Sequence, residues 1–430
     1  MKKLVQKIIA GVAKRQLAKF KPTVIAVTGS VGKTSTRSAI AIALEAKYRV
    51  RSPMKNYNNE FGLPLAILGE KSPGKDAWGW FKLWKRAVTM KEMPEYLVLE
   101  YGADKPGDIS YLASIAKPDI AVITAISSVH LSNYPAIEAL IEEKASLGDA
   151  VKRDGLVLLN ANDEVVSLLS SRYSEARVEM YGIDAGDVRA ENVRIETKLE
   201  ESFDPGETFA IMRATLKTKT DEMEIALKNC VSMGAMSAAV AAVAVATKLG
   251  VPLSDAVRAL EKGMLPINGR LNPLPGIKGA LVLDDSYNAA PASVSVALDA
   301  LMRFTPGEER DRRIAVLGDM AELGPRTESE HRAVGAHVAR ACDLFIAVGP
   351  GMGLAAEAAI AAGLPKDKVE RFSTSVEAGR YLDANIQKGD VVLIKGSQSM
   401  RMEKAVKDIM GEPLKAPELL VRQEEYWLNS

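Results

Sequence analysis

The sequence predicts an α/β protein: a central P-loop domain with a parallel sheet and a small antiparallel insert, plus a C-terminal Rossmann-like α/β domain. Three observations carry this. The β-branched run Val24 to Val27 breaks at Gly29 and Gly32, then continues as an Ala/Ile-rich helical period from Thr36 to Leu44. Apolar strand-like runs alternate with helical periods from residue 23 to 175. After the turn-like Pro266 to Arg270, the same alternation resumes and runs to the end of the chain.

The first break is Gly29-Ser30-Val31-Gly32-Lys33-Thr34-Ser35. Glycines leave backbone N–H groups free to close on phosphate oxygens, and a helix N-terminus adds partial positive charge. In that frame Lys33 reaches terminal phosphates and the Thr34 hydroxyl holds Mg²⁺. The spacing is shorter than the common six-residue form, whose first glycine would fall on Val27, so a bland strand-turn-helix competes with this reading.

Composition narrows the classes. A net charge of +1 over 430 residues gives no global pull towards nucleic acid. Cys230 and Cys342 stand far apart, which argues against a disulfide framework or a zinc site and fits a reducing, cytoplasmic compartment. His130, His331 and His337 are too few for a His-rich metal site.

Residues 1–22 are expected to form a basic amphipathic helix, 23–265 the central domain and 266–430 the C-terminal one. Lys2, Lys3, Lys7, Lys14, Arg15, Lys19 and Lys21 precede the first acidic residue, Glu45. Lysines interrupt the apolar residues of this segment, so neither a signal peptide nor a spanning helix is supported. Two readings stand: a helix packed on the next domain, or one lying on an anionic membrane at its inner face.

Asn56 to Gly62 is polar and turn-like. Asn58 and Asn59 suit substrate contact, or a turn whose side chains bond their own backbone. Trp78, Trp80 and Trp84 interleave with Lys82, Lys85 and Arg86, which suits a membrane interface, a partner's surface or an ordinary amphipathic core helix. The strand Tyr96 to Glu100 ends in a carboxylate, placed where strand tips converge on a ligand and hold Mg²⁺.

A strand from Ile120 to Thr124 leads to His130, a helix from Ala136 carries Lys144, and Val157 to Asn160 is a further strand. Taken alone, His130 is a loop histidine and Lys144 a surface lysine. Short alternating segments between Val178 and Leu227 predict the antiparallel insert. Helices follow at Met233 to Leu249 and Leu253 to Gly263. In the last third, strands are expected at Ala280 to Asp284, Ile314 to Gly318, Leu344 to Val348 and Val391 to Ile394. Gly349-Pro350-Gly351-Met352-Gly353 reads as a plain loop, because it contains proline and lacks dinucleotide-binding spacing.

Taken together, Thr28 to Thr34, Asn56 to Gly62, Leu99 to Ala103, His130, Lys144, Asn268 to Arg270, Asp284 to Ala289, Leu317 to Gly324 and Lys395 to Ser397 resemble the Mur ligase family. The resemblance is strongest to the members that add D-alanyl-D-alanine, and it runs from about residue 23 to 410. It implies an ATPase-type central domain and ATP-dependent amide formation through an acyl phosphate. ATP and Mg²⁺ are the implied cofactors, with Lys33, Glu100, His130 and Lys144 as catalytic residues. By the same analogy Thr34, Glu100, His130 and a carbamylated Lys144 hold metal, and Gly29 to Ser35, Arg270 and Asp285 contact nucleotide. Asn58, Asn59, Asn288, Lys395 and Ser397 contact substrate. The expected partners are small-molecule or peptide substrates of peptidoglycan assembly.

Two departures bear on substrate. The family's UDP-binding domain has no counterpart in residues 1–22, which points to a lipid-linked precursor met through residues 1–22 and Trp78 to Arg86, or to a partner chain that supplies recognition. The family's paired asparagines appear as Asn229-Cys230-Val231-Ser232-Met233-Gly234, with one Asn, so the adenine contact stays open. The rival readings are a ligase with a folylpolyglutamate-like or cyanophycin-like acceptor, and a non-catalytic ATP-dependent interaction module.

Overall fold

The computed structural model describes residues 2–53, 57–74, 76–126, 134, 136–173, 177–197, 207–304, 312–424 and 427. Its chain contacts divide into two units. One comprises Met1–Val193, Ala214–Ile225 and Gly234–Met264, and the other Arg194–Arg213, Ala226–Met233 and Leu265–Ser430.

In the first unit, helix α1 (Lys2–Phe20) leads into strand β1 (Thr23–Thr28), whose apolar residues are buried on both faces, as a central parallel strand requires. Strands β2 (Val50–Arg51), β3 (Tyr96–Glu100), β4 (Ile120–Ile123) and β5 (Leu156–Asn160) complete a parallel array around β1. Between them lie α2 (Lys33–Glu45), α3 (Gly62–Leu68), α4 (Ala77–Val88), α5 (Asp108–Ile115) and α6 (Ile137–Asp149). Helix α1 packs on α3, α4 and α5 through Ile9, Ala10 and Ala13, so the packing reading of the N-terminal segment holds.

After α7 (Glu164–Leu168), the segments expected as a small insert are β6 (Arg177–Ile183), β7 (Val188–Thr197), β8 (Ala210–Lys217) and β9 (Glu222–Lys228). They extend the same sheet, in the order β2-β3-β1-β4-β5-β6-β7-β8-β9. Strand β6 is parallel to β5 and β7, and a turn at Thr218–Asp221 joins β8 to β9. Helix α8 (Met233–Lys248), whose residues 238–246 are all buried Ala and Val, is followed by α9 (Leu253–Gly263), which packs on α2.

The second unit holds a six-stranded sheet. Strands β10 (Asn272–Pro275), β11 (Leu281–Asp285), β12 (Arg313–Gly318), β13 (Leu344–Val348), β14 (Val369–Phe372) and β15 (Val391–Lys395) take the order β10-β11-β15-β12-β13-β14. All neighbours are parallel except β10, an antiparallel edge, where two prolines are tolerated because an outer strand leaves N–H positions without a ladder partner. Helices α10 (Pro291–Met302), α11 (Thr327–Ala341), α12 (Pro350–Ala361), α13 (Ser375–Asn385), α14 (Glu403–Ile409) and α15 (Ala416–Leu419) accompany it.

One sequence expectation fails here. The glycine-rich stretch after β13 is not a plain loop, because α12 starts at Pro350 and contains Gly351, Met352 and Gly353. Proline at the first helical position has a preset φ and no N–H to leave orphaned, and Asp319 accepts from the Met352 N–H at 2.7 Å, capping the first turn.

Candidate active site

The loop after β1 is shaped by two left-sided glycines. Gly29 has φ 145° and Gly32 φ 86°, and a Cβ at Gly29 would overlap Thr124 Oγ1 and lie 2.9 Å from the Ala125 carbonyl. Thr124, at the tip of β4, braces the loop by donating to the Val31 carbonyl at 2.6 Å, while Ser30 N–H donates to the Ala125 carbonyl at 2.6 Å. Lys33 Nζ donates to the carbonyls of Gly29 (2.8 Å) and Ser30 (3.1 Å). Val31 is exposed, and Ser35 sits in the first turn of α2.

Below the loop, the parallel pairing of β1 with β3 brings Glu100 beside the start of α2. Thr34 Oγ1 donates to Glu100 Oε2 at 2.9 Å, and Asn58 Nδ2 donates to Glu100 Oε1 at 3.0 Å. Glu100 is only 3% exposed. Arg37, one turn along α2, is equally buried, and its Nε and Nη1 have no hydrogen-bond partner among the described residues. Burial lowers the Arg37 pKa and the Glu100 charge partly restores it. Asn59 does what the turn reading expects, accepting from the N–H groups of Phe61 and Gly62 at the entrance of α3.

Helix α6 brings Lys144 to the same place. Lys33, Asn58, Asn59 and Lys144 line one cavity of about 260 Å³, together with Gly29, Ser30, Gly102, Asp104 and Lys105. Lys144 is 4% exposed, and its amine is lowered to about 8, first by burial and then by the Lys33 charge, against the pull of Glu143, Asp104 and Asp108. The adjacent Glu143 accepts from the N–H groups of Gly107 and Ile109, both at 2.7 Å, and so ties α6 to the N-terminus of α5. His130 lies outside the described residues, as does Asn56.

Among the described residues, no group of three or more His, Cys, Asp or Glu converges as a metal site. The Thr34 hydroxyl and Glu100 carboxylate nonetheless fit Mg²⁺, which takes one or two protein oxygens and completes its shell with water and substrate phosphate.

The second unit has its own cluster at the C-terminal ends of β11 and β15, which are register partners at Asp285 and Lys395. Lys395 Nζ pairs with Asp285 at 2.8 Å and donates to the Asn288 carbonyl at 2.7 Å, with Lys395 3% exposed. Asp285 also accepts from the Leu271 N–H. The neighbouring Asp284 accepts from the N–H groups of Gly269 and Ser286, and burial pushes its carboxyl up to about 6. Exposed Arg270 places its guanidinium 4.5 Å from the Tyr287 ring centre. Ser397 is buried, with its hydroxyl 3.3 Å from that of Ser399.

Sequence reasoning did not single out Arg37, Thr124, Glu143 or Arg422. Arg422 is buried, donates from Nη1 to Glu403 and the Ser286 carbonyl, both at 3.0 Å, and from Nη2 to the Tyr287 carbonyl, so it fixes the turn after β11. Asn229 proves to be a turn residue with φ 53°, its side chain held by the backbone of Glu207, Phe209 and Ala210.

Two family descriptions match the chain: the Mur ligase middle domain over residues 27–246, and the Mur ligase glutamate ligase domain over residues 269–398. The UDP-N-acetylmuramoyl-tripeptide--D-alanyl-D-alanine ligase of Bacillus subtilis is 32% identical over 404 residues, covering 94% of this chain and 79% of the relative. The Escherichia coli ligase of the same name is 28% identical over 389 residues, covering 89% and 76%. Among solved structures, MurF ligase from Thermotoga maritima in complex with ADP superposes with a TM-score of 0.72 at 25% identity, covering 94% of this chain and 83% of that one. A phosphate loop, a buried strand-tip carboxylate and matches spanning both units thus converge on one answer: the chain belongs to the Mur ligase family of ATP-dependent carbon–nitrogen ligases.

Proposed function

We propose that this chain joins D-alanyl-D-alanine, or a similar amine, to the carboxylate of a peptidoglycan-type precursor in the cytoplasm. The observation that carries the reading is the cavity shared by Lys33, Asn58 and Lys144, with the Thr34–Glu100 pair bonded to Asn58. The similarity to D-alanyl-D-alanine ligases supports the choice of amine.

In this reaction an acceptor carboxylate oxygen attacks the γ-phosphorus of ATP and ADP leaves. The amine nitrogen then attacks the acyl carbon, loses a proton and expels phosphate. Lys33 and the loop amides offset charge on the transferring phosphoryl group. Thr34 and Glu100 would hold Mg²⁺, which supplies charge neutralisation between the phosphates. His130 is assigned to a second Mg²⁺. Lys144 is assigned as a carbamate, since CO₂ reacts with neutral amines and a buried lysine near pKa 8 is neutral in part at physiological pH. The modification would turn a cation beside Lys33 into an oxygen ligand.

In the second unit, Arg270 and Asp285 are assigned to nucleotide, and Asn288, Lys395 and Ser397 to the amine. Support comes from their position, since open α/β sheets bind ligands at the carboxyl ends of their strands. The acceptor is either a lipid-linked precursor met through residues 1–22 and Trp78 to Arg86, or one recognised through a partner chain. A panel of carboxylate acceptors offered with D-alanyl-D-alanine and ATP, scored by product mass, tests the reading. Phosphate release that ignores both substrates would defeat it in favour of a nucleotide-dependent interaction module, and product formed only with an added protein would move acceptor recognition to a partner chain.

A further inference from the structure

Helix α4 is amphipathic in an unusual sense. Its inner face is small, with Leu83 and Ala87 buried and Trp80 packed against the core, its Nε1 donating to the Gly74 carbonyl. Its outer face carries the bulk: Trp78, Phe81 and Trp84 are 62%, 49% and 42% exposed. They form a stacked column, with ring centres 5.2 Å apart between Trp78 and Phe81 and 6.1 Å between Phe81 and Trp84. Three aromatic rings at successive i, i+3 positions facing water are a large contiguous apolar surface with no role in the core beneath.

Cations accompany this column on α4 and on α1. Lys82 and Lys85 are exposed on α4 itself, Lys82 lying 5.8 Å from the Trp78 ring. Helix α1 is bound to the end of the same helix by a hydrogen bond from Gln16 Nε2 to the Ala87 carbonyl (2.8 Å), and to the turn after it by one from Lys19 Nζ to the Met90 carbonyl (3.0 Å). It adds the exposed apolar residues Leu4 and Ile8 and exposed Lys7, Lys14 and Arg15, with no acidic residue on α1. The nearby carboxylates are engaged elsewhere: Asp76 caps α4 by accepting from the Trp78 N–H, and Glu70 pairs with Arg86.

We infer that the outer face of α4, with α1 beside it, docks on an anionic lipid bilayer. Indole and phenyl rings lie at the headgroup–acyl boundary, where an apolar body and a polar rim are both accommodated, while lysines reach lipid phosphates. A protein partner fits less well, because lysine is depleted in protein interfaces and here exposed Lys82 and Lys85 share the helix with the aromatic column. The docking is peripheral, since no helix among the described residues is long and apolar enough to cross a membrane. It stands independently of the ligase reading.

The test is co-sedimentation of the full chain with vesicles of phosphatidylcholine alone or of an equal mixture with phosphatidylglycerol. The expected result is about tenfold more protein pelleted with the mixture, with salt reversing the difference. The double substitutions Trp78→Ser with Trp84→Ser, and Lys82→Glu with Lys85→Glu, each reduce binding to the level of the neutral vesicles. All these positions are exposed, so thermal melting is unchanged and a folding defect is separated from a docking defect. Three results overturn the inference: wild-type protein left in the supernatant with both vesicles, lipid binding that survives both double substitutions, or aromatic substitutions that abolish self-association while lipid binding persists.

Discussion

Thr34 and Glu100, 66 positions apart in sequence, meet at 2.9 Å because β1 and β3 are parallel neighbours that end at the same height. The hydroxyl donates, so the carboxylate is held in one orientation with its second oxygen fixed by Asn58. Glu100→Gln keeps the shape and removes the charge. Substrate-dependent phosphate release is expected to fall by about 100-fold or more, with the Mg²⁺ requirement shifted to higher concentration. A steady-state Mg²⁺ titration of both proteins checks this, and unchanged Mg²⁺ dependence would remove Glu100 from the metal site.

The carbamylation proposed for Lys144 gives a pH dependence. Its folded amine is lowered from 10.5 to about 8, so the neutral form that reacts with CO₂ grows as pH rises through about 8 and vanishes as pH falls below it. Activity is therefore expected to rise with bicarbonate at pH 8 and to respond little at pH 6. Intact mass under gentle conditions should show one added CO₂ in the active sample and none in Lys144→Ala. Full activity in that variant would argue against the modification.

Gly29 tolerates no side chain. An added Cβ meets Thr124 Oγ1 and the Ala125 carbonyl at a φ that L-residues seldom adopt. Gly29→Ala is expected to weaken ADP binding and to cost about 1–3 kcal/mol of stability. Calorimetric titration and urea unfolding read the two effects separately. Gly353→Ala, at a helical position with nothing within 4 Å, is the control: it should leave ADP binding unchanged and raise stability by about 0.4–1 kcal/mol.

The Arg422–Glu403 pair is buried, with side chains 6% and 2% exposed. Replacing Arg422 by Met leaves Glu403 with Arg401, at 2.6 Å, as its remaining cationic partner and is expected to destabilise the second unit by about 1.5–3 kcal/mol. Because Arg422 also binds the Ser286 and Tyr287 carbonyls, the turn carrying Asn288 should loosen. Hydrogen exchange at residues 284–289 would report it, and unaltered protection there would assign the pair to stability alone.

The strands and helices that frame the phosphate loop were legible because local pattern determines them: β-branched runs for β1 and β3, Gly-Lys-Thr at the junction, Ala/Ile periodicity in α2. What stayed hidden depends on distant chain. Thr124 is an ordinary strand residue until β4 aligns with β1, and Glu143 is an ordinary helical charge until α5 begins beside it. Strand β10 is not legible locally, because proline is disfavoured inside a strand and only the edge position reconciles Pro273 and Pro275 with a sheet. The start of α12 is hidden in the sequence because glycines and proline favour loops locally, whereas Asp319 supplies the cap from another strand's end.

Glu143 and Lys144 are consecutive residues on α6 with opposite employment. The acid is clasped by two amides of a neighbouring helix, which indexes the register of α6 against α5 to within a hydrogen bond. The base is thereby delivered to a fixed spot, and among the described residues it makes no tight salt link. A shift of one residue along that helix would carry Lys144 away from the cavity it lines, so its placement there depends on a clasp made by a residue that does not line the cavity.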